Sequence, residues 1–219
     1  MRPFTRLLTA AATVALISVL TPSTALLQNR DSVLTLTAGG LSGLSRLREA
    51  DALVDQGYVL VEPRGAYTGS GYSWLGNINK TDKYIRELVA FLNDKMNLDA
   101  KRTYLVGVHD SGQYAASATK EHGDIFSGFA FLDGNQQNTP NVGALQKNRI
   151  YMSAGLYNDP TMTWTLNFAD ALTADGWTRG TDFEVNLYPG SNPARWVHVE
   201  RAVEWLDEPF LTADIDEGI

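Results

Sequence analysis

Arg102-Thr103-Tyr104-Leu105-Val106-Gly107-Val108-His109-Asp110-Ser111-Gly112 is the stretch on which the fold turns. Tyr104, Leu105, Val106 and Val108 form a short apolar run, the pattern of a strand covered on both faces. His109, Asp110 and Ser111 interrupt it with three polar side chains. Gly107 and Gly112 flank the interruption, where an added side chain would keep a helix from packing closely on a strand. The Ala-rich segment from Gln113 to Glu121 then predicts a helix. The stretch therefore reads as buried strand, sharp turn bearing polar groups, and helix.

The same alternation extends in both directions. Ser32–Thr37, Tyr58–Val61, Phe129–Leu132, Arg149–Ala154 and Phe183–Tyr188 are short runs rich in β-formers. Between them, Arg46–Gln56, Thr81–Met96, Met162–Asp175 and Val197–Leu206 carry apolar residues at helical spacing. Strands alternating with helices predict a mostly parallel six-stranded sheet with helices on both faces. In such sheets ligands sit at the carboxyl ends of the strands. The loops at Gly39, Gly65, His109, Gly134, Asp159 and Asn192 all fall at those ends. Residues 64–80 form a long connection with four glycines among Tyr67, Tyr72 and Trp74, and the acidic tail is expected to fray.

Composition bounds the chemistry. The chain has 219 residues, 44% hydrophobic and 20% charged, enough for one domain with a sizeable core. It has no cysteine, which removes thiol nucleophiles, disulfides and thiolate metal sites. Its three histidines are His109, His122 and His198. Arg2 and Arg6, the apolar run Leu7–Leu20 and the small residues Ser23-Thr24-Ala25 read as a signal peptide over residues 1–25. The mature domain is then 26–219, exported and without a membrane span. Cleavage removes two arginines and no acid, so the net charge of −7 becomes more negative. An acidic chain without a Lys/Arg cluster argues against nucleic acid as a partner.

Three stretches carry a resemblance. Leu98-Asp99-Ala100-Lys101-Arg102-Thr103-Tyr104-Leu105-Val106-Gly107 looks like an Asp-x-x-Arg-Val-Tyr lead-in to a nucleophile elbow, Asp124–Ala130 is similar to the segment entering the next strand, and Leu187-Tyr188-Pro189-Gly190 looks like the end of a last strand. Over residues 32–207 the chain resembles an α/β hydrolase. More narrowly it resembles the secreted esterases related to poly(3-hydroxybutyrate) depolymerases and feruloyl esterases. The resemblance implies an α/β-hydrolase core without a lid domain, and hydrolysis of small-molecule or polymeric carboxylic esters without a cofactor. It puts the family's serine on His109, its acid on Asp159, its histidine on Asn192 and its oxyanion loop on Gly39 and Gly40. The usual elbow is Gly-x-Ser-x-Gly; here it is Gly107-Val108-His109-Asp110-Ser111. With one residue inserted after Gly107, Val108-His109-Asp110-Ser111-Gly112 looks instead like the elbow of haloalkane dehalogenases and epoxide hydrolases, with Asp110 as nucleophile.

Each candidate has two readings. His109 is a base or nucleophile at the tip, or a replaced serine whose ring bonds a neighbouring carboxylate. Asp110 and Ser111 are nucleophiles or helix caps. Asp159 orients a base or holds the turn before Pro160. His198 is a base if the preceding loop folds it back, and otherwise belongs to the start of the last helix. His122 stands at a helix C-terminus, where a partly cationic ring is favourable. Tyr72 and Trp74 line a binding cleft or pin their loop. No spacing marks a metal site, although His109, Asp110, Asp159 and His198 have suitable donors. Two functions follow: a secreted esterase with a rearranged site, or a catalytically silent relative that binds a ligand or partner through the same cleft.

Overall fold

The computed structural model describes residues 30–37, 53, 56–63, 65–67, 72–96, 98–134, 142–190 and 196–216. Residues 1–25, the Gly39-Gly40 loop and Asn192 lie outside them, as does most of the helix expected over 46–56.

The sheet strands are β1 (Arg30–Thr37), β2 (Val59–Val61), β5 (Leu98–Val108), β6 (Gly128–Leu132), β7 (Arg149–Gly155) and β8 (Phe183–Tyr188). They pair in the order β2-β1-β5-β6-β7-β8, and every pairing is parallel. The long connection folds its own two-stranded hairpin, β3 (Ala66–Tyr67) against β4 (Tyr72–Ser73). The long helices among the described residues are α1 (Ile78–Met96), α2 (Asp110–Glu121), α3 (Asp159–Ala174) and α4 (Trp196–Asp216).

Strand β6 shows why the chain folds this way. All five of its residues are buried, so both faces need cover. Phe129 and Phe131 join a core with Ile85 and Val89 of α1, Tyr114 and Ala115 of α2, and Phe168 and Leu172 of α3. Ala130 and Leu132 face the other way, onto Val199, Ala202, Val203 and Leu206 of α4. Full burial of one such apolar side chain contributes about 1.5–3 kcal/mol, so the two cores are the main stabilising term.

Helices α1 and α3 each start three residues earlier than expected, and three other boundaries differ from the sequence reading for a local reason. Strand β5 starts at Leu98, because its first residue already pairs with Arg30 ahead of a register shift. Helix α2 starts at Asp110, because the turn before it is a single residue. Helix α4 continues through Pro209 to Asp216, beyond the expected stop at Leu206 and into the tail expected to fray.

The amino ends of the strands are closed by a buried carboxylate. Asp207 of α4 is fully buried and accepts from Tyr58 Oη at 2.5 Å, Tyr104 Oη at 2.5 Å and Arg102 Nε at 2.8 Å, with a second Arg102 bond from Nη2. Tyr104 pairs with Gly128, the first residue of β6. The cluster therefore sits at the far end of the sheet from the polar turn and locks α4 to it.

Candidate functional site

The turn after β5 is built by exclusion of side chains. A Cβ on Gly107 would lie 2.3 Å from the Ser111 carbonyl oxygen and 2.7 Å from Ala115 Cβ. A Cβ on Gly112 would lie 2.8 Å from Gly134 Cα. With both positions bare, the backbone reverses within one residue. That residue is His109, at φ 57° and ψ −123°. Its amide donates to the Leu132 carbonyl at 2.9 Å, and its carbonyl accepts from the Gly112 amide at 2.8 Å. A residue with a Cβ held in this region costs about 1–3 kcal/mol and persists only where its surroundings enforce it. This is the geometry of a nucleophile elbow with an imidazole at its tip. Asp110 already belongs to α2, so the register with Asp110 at the tip is not the one adopted.

Ser111 is fully buried. Its Oγ donates to the Val108 carbonyl at 2.6 Å and accepts from the Val108 amide at 2.9 Å. The hydroxyl staples strand to helix. His109 is half-buried, and its side chain does not cap α2.

The buried acid at this end of the sheet is Asp133, just after β6. It sits at φ 51°, a left-handed conformation that Asp tolerates better than most residues. Its amide donates to the Ser153 carbonyl at 2.9 Å. Its Oδ1 accepts from the Gly155 amide at 3.1 Å, and its Oδ2 from the Tyr188 hydroxyl. Burial, followed by the bond to Asp133 and its charge, raises the Tyr188 phenol well above its ordinary range. The Tyr188 ring stacks on the imidazole of His198, centroids 4.1 Å apart and planes at 29°. His198 is only 7% exposed, in the first turn of α4. The structure thus gathers His109, Asp133, Tyr188 and His198 at the carboxyl ends of β5, β6 and β8.

Asp159 is not part of this group. It is exposed and opens α3, with Pro160 next in the first turn. Trp74 is buried and stacks on Tyr114 at 6.1 Å, while its carbonyl accepts from Thr81 Oγ1 at 2.9 Å, so it pins the long connection to the core. Tyr72 is placed by its backbone in β4, opposite Tyr67. His122 caps the end of α2 fully buried, with Nε2 2.9 Å from Asp82 Oδ1 and 3.2 Å from Tyr114 Oη.

Asp133 and Tyr188 are the site residues that sequence reading passed over. The signal available was position: Asp133-Gly134 follows a buried strand directly, at the ligand end of a parallel sheet. A rim of exposed apolar side chains borders the group. Leu156 and Tyr157, the latter 73% exposed, are tied by their amides to the Tyr188 and Gly190 carbonyls at 3.0 Å each, and exposed Val197 precedes His198.

No protein-family model matches the chain, and no curated protein resembles it in sequence. Solved structures do resemble it. It is similar to esterase PE8, at 16% identity and a TM-score of 0.65 over 82% of this chain and 93% of that one. It is similar to a carboxylesterase from Mesorhizobium loti, at 14% identity and a TM-score of 0.64 over 82% of this chain and 89% of that one. The Bacillus cereus carboxylesterase shares 15% identity, with a TM-score of 0.57 over 82% and 88%. The sheet order, the elbow and these likenesses define the fold as an α/β-hydrolase core. Among the described residues no helix is long and apolar enough to cross a membrane.

Proposed function

We propose that this chain is a secreted protein of the esterase and depolymerase type that has lost serine acyl transfer and engages a small-molecule or polymeric ester by binding. The observation that carries this reading is the state of the elbow's hydroxyl. A serine nucleophile needs a free Oγ with a base about 3 Å away. Here the tip is His109, and Ser111 Oγ is spent on both polar groups of Val108. Two further features agree with it. His198 lies packed on Tyr188, and Asp159 stands in solvent. Members of a triad act as a unit, so loss of one removes most of the acceleration.

The test uses purified mature protein, whose mass should show a start near residue 26. Expected are no labelling by fluorophosphonates and no turnover of alkyl esters. Esterase-type labelling should appear only when His109→Ser, Ser111→Gly and Asn192→His are combined. Wild-type turnover that is lost in Asp110→Asn or Ser111→Ala, and also in His198→Ala, would establish the rearranged esterase instead.

A further inference from the structure

We propose that His109 itself accepts acyl groups from activated donors, aryl esters or thioesters, through an imidazole nitrogen. This goes beyond the reading above, which concerns the absent serine chemistry. Three observations carry it. The His109 side chain makes no hydrogen bond or ion pair with a described residue. The other two imidazoles are buried, leaving His109 as the one that a dissolved donor meets. The third is independent of the elbow and points to the ligand. Leu156, Tyr157 and Val197 expose apolar surface at the same end of the sheet, around Tyr188 and His198. Adjacent strands are about 4.8 Å apart, so the end of β7 lies about 10 Å from the tip of β5, within reach of an aryl or short acyl group.

The chemistry closes without a cofactor. The lone pair of one ring nitrogen attacks the acyl carbon. The aryloxide or thiolate departs with the bonding electron pair, and the proton on the other ring nitrogen passes to water, leaving a neutral N-acylimidazole. Water then adds to the acyl carbon, the ring leaves and takes one of the water's protons, and a carboxylate is released as the other proton passes to solvent. Because α2 starts at residue 110, the positive end of its dipole lies directly after the His109 tip, where it favours negative charge developing on a bound acyl oxygen.

The probe is p-nitrophenyl trimethylacetate, whose hindered acyl group slows the second step. Mixed with wild-type protein, it should give a burst of nitrophenolate, and the acid-quenched protein should carry the trimethylacetyl group on the peptide containing His109, removable by hydroxylamine. His109→Gly relieves the positive φ rather than opposing it, so this variant should fold and melt at or above the wild-type temperature. Its burst should vanish, and added imidazole should restore release above the rate of imidazole in buffer. Tyr157→Ser should raise the concentration of probe needed for half-maximal release without changing the maximal rate. A burst undiminished in folded His109→Gly, or the acyl group found on lysine or serine, would overturn the proposal. Serine-dependent turnover would overturn the reading of the previous section and leave this one to be decided by His109→Gly.

Discussion

Two buried aspartates stand at opposite ends of the sheet, and their surroundings differ in one respect. Asp207, at the amino ends, receives two tyrosine hydroxyls and the forked guanidinium of Arg102. Asp133, at the carboxyl ends, receives one tyrosine hydroxyl and one backbone amide, and has no ion pair among the described residues. Burial of a carboxylate is costly unless charge and hydrogen bonds compensate it. Asp207 is compensated fully, by groups from β5 and from the residue before β2, and it acts as a fastener. Asp133 is held by neutral donors only, beside the elbow and the His198 ring. The amino-end carboxylate is thus tied by charge as well as by hydrogen bonds, and the carboxyl-end carboxylate by hydrogen bonds from neutral donors.

The contrast is open to direct attack, beginning with the fastener. Asp207→Ala removes one partner of a buried pair and strands both phenols and the guanidinium. The expected loss is about 3–5 kcal/mol in urea denaturation. A loss near zero would mean that the amino-end cluster is not what secures α4. Next in size is the elbow: Gly107→Val and Gly112→Val should each cost about 1–3 kcal/mol through overpacking. Unchanged melting temperatures in both would show that the turn tolerates what its close contacts forbid.

The two tyrosines then sharpen the comparison. Tyr188→Phe leaves Asp133 with a single amide donor and should cost about 1.5–3 kcal/mol, the range for a hydrogen bond to a charged group. Tyr104→Phe leaves Asp207 with Arg102 and Tyr58, so it should cost less than Tyr188→Phe. The order of the two losses matters more than either value. Were Tyr104→Phe the costlier, the carboxyl-end aspartate would not be the less compensated of the pair.

The strands were legible because period and composition are local properties. All six sheet strands stand where apolar β-forming runs predicted them, and the elbow was visible in Gly107, Gly112 and the polar residues between. The start of α2 was read too late, because propensity alone does not show that the turn is one residue long. The site was less legible. Ser111 and His109 are adjacent but one, and only the backbone conformation separates a tip from a staple. Trp74 in a glycine-rich connection reads equally well as a cleft wall or a pin until Tyr114, forty residues away, is seen stacked on it. Asp133 and Tyr188 are 55 residues apart, and no spacing rule links them. A contact made by folding distant strands side by side leaves no periodic trace.

The smallest expected effect concerns pH, and its sign follows from the amino-end cluster. Burial alone would raise the Asp207 carboxyl. The hydrogen bonds from Arg102, Tyr104 and Tyr58, with the Arg102 charge, outweigh that and hold it below the ordinary carboxylate range. The unfolded chain binds this proton at about pH 3.9. A depressed folded value means that the unfolded state is the better proton acceptor between the two. Asp207 therefore contributes its full ionic stabilisation above about pH 5, and the contribution falls away as pH drops through the unfolded and then the lower folded value. Wild-type stability should be level from neutrality to about pH 5 as far as this group is concerned, then decline. Asp207→Asn should begin lower and decline less over the same interval, with the two curves converging in acid. Urea midpoints measured from pH 7 down to pH 3 decide it. Parallel curves would show that the Asp207 proton is bound equally well in both states and that the fastener holds by hydrogen bonding alone.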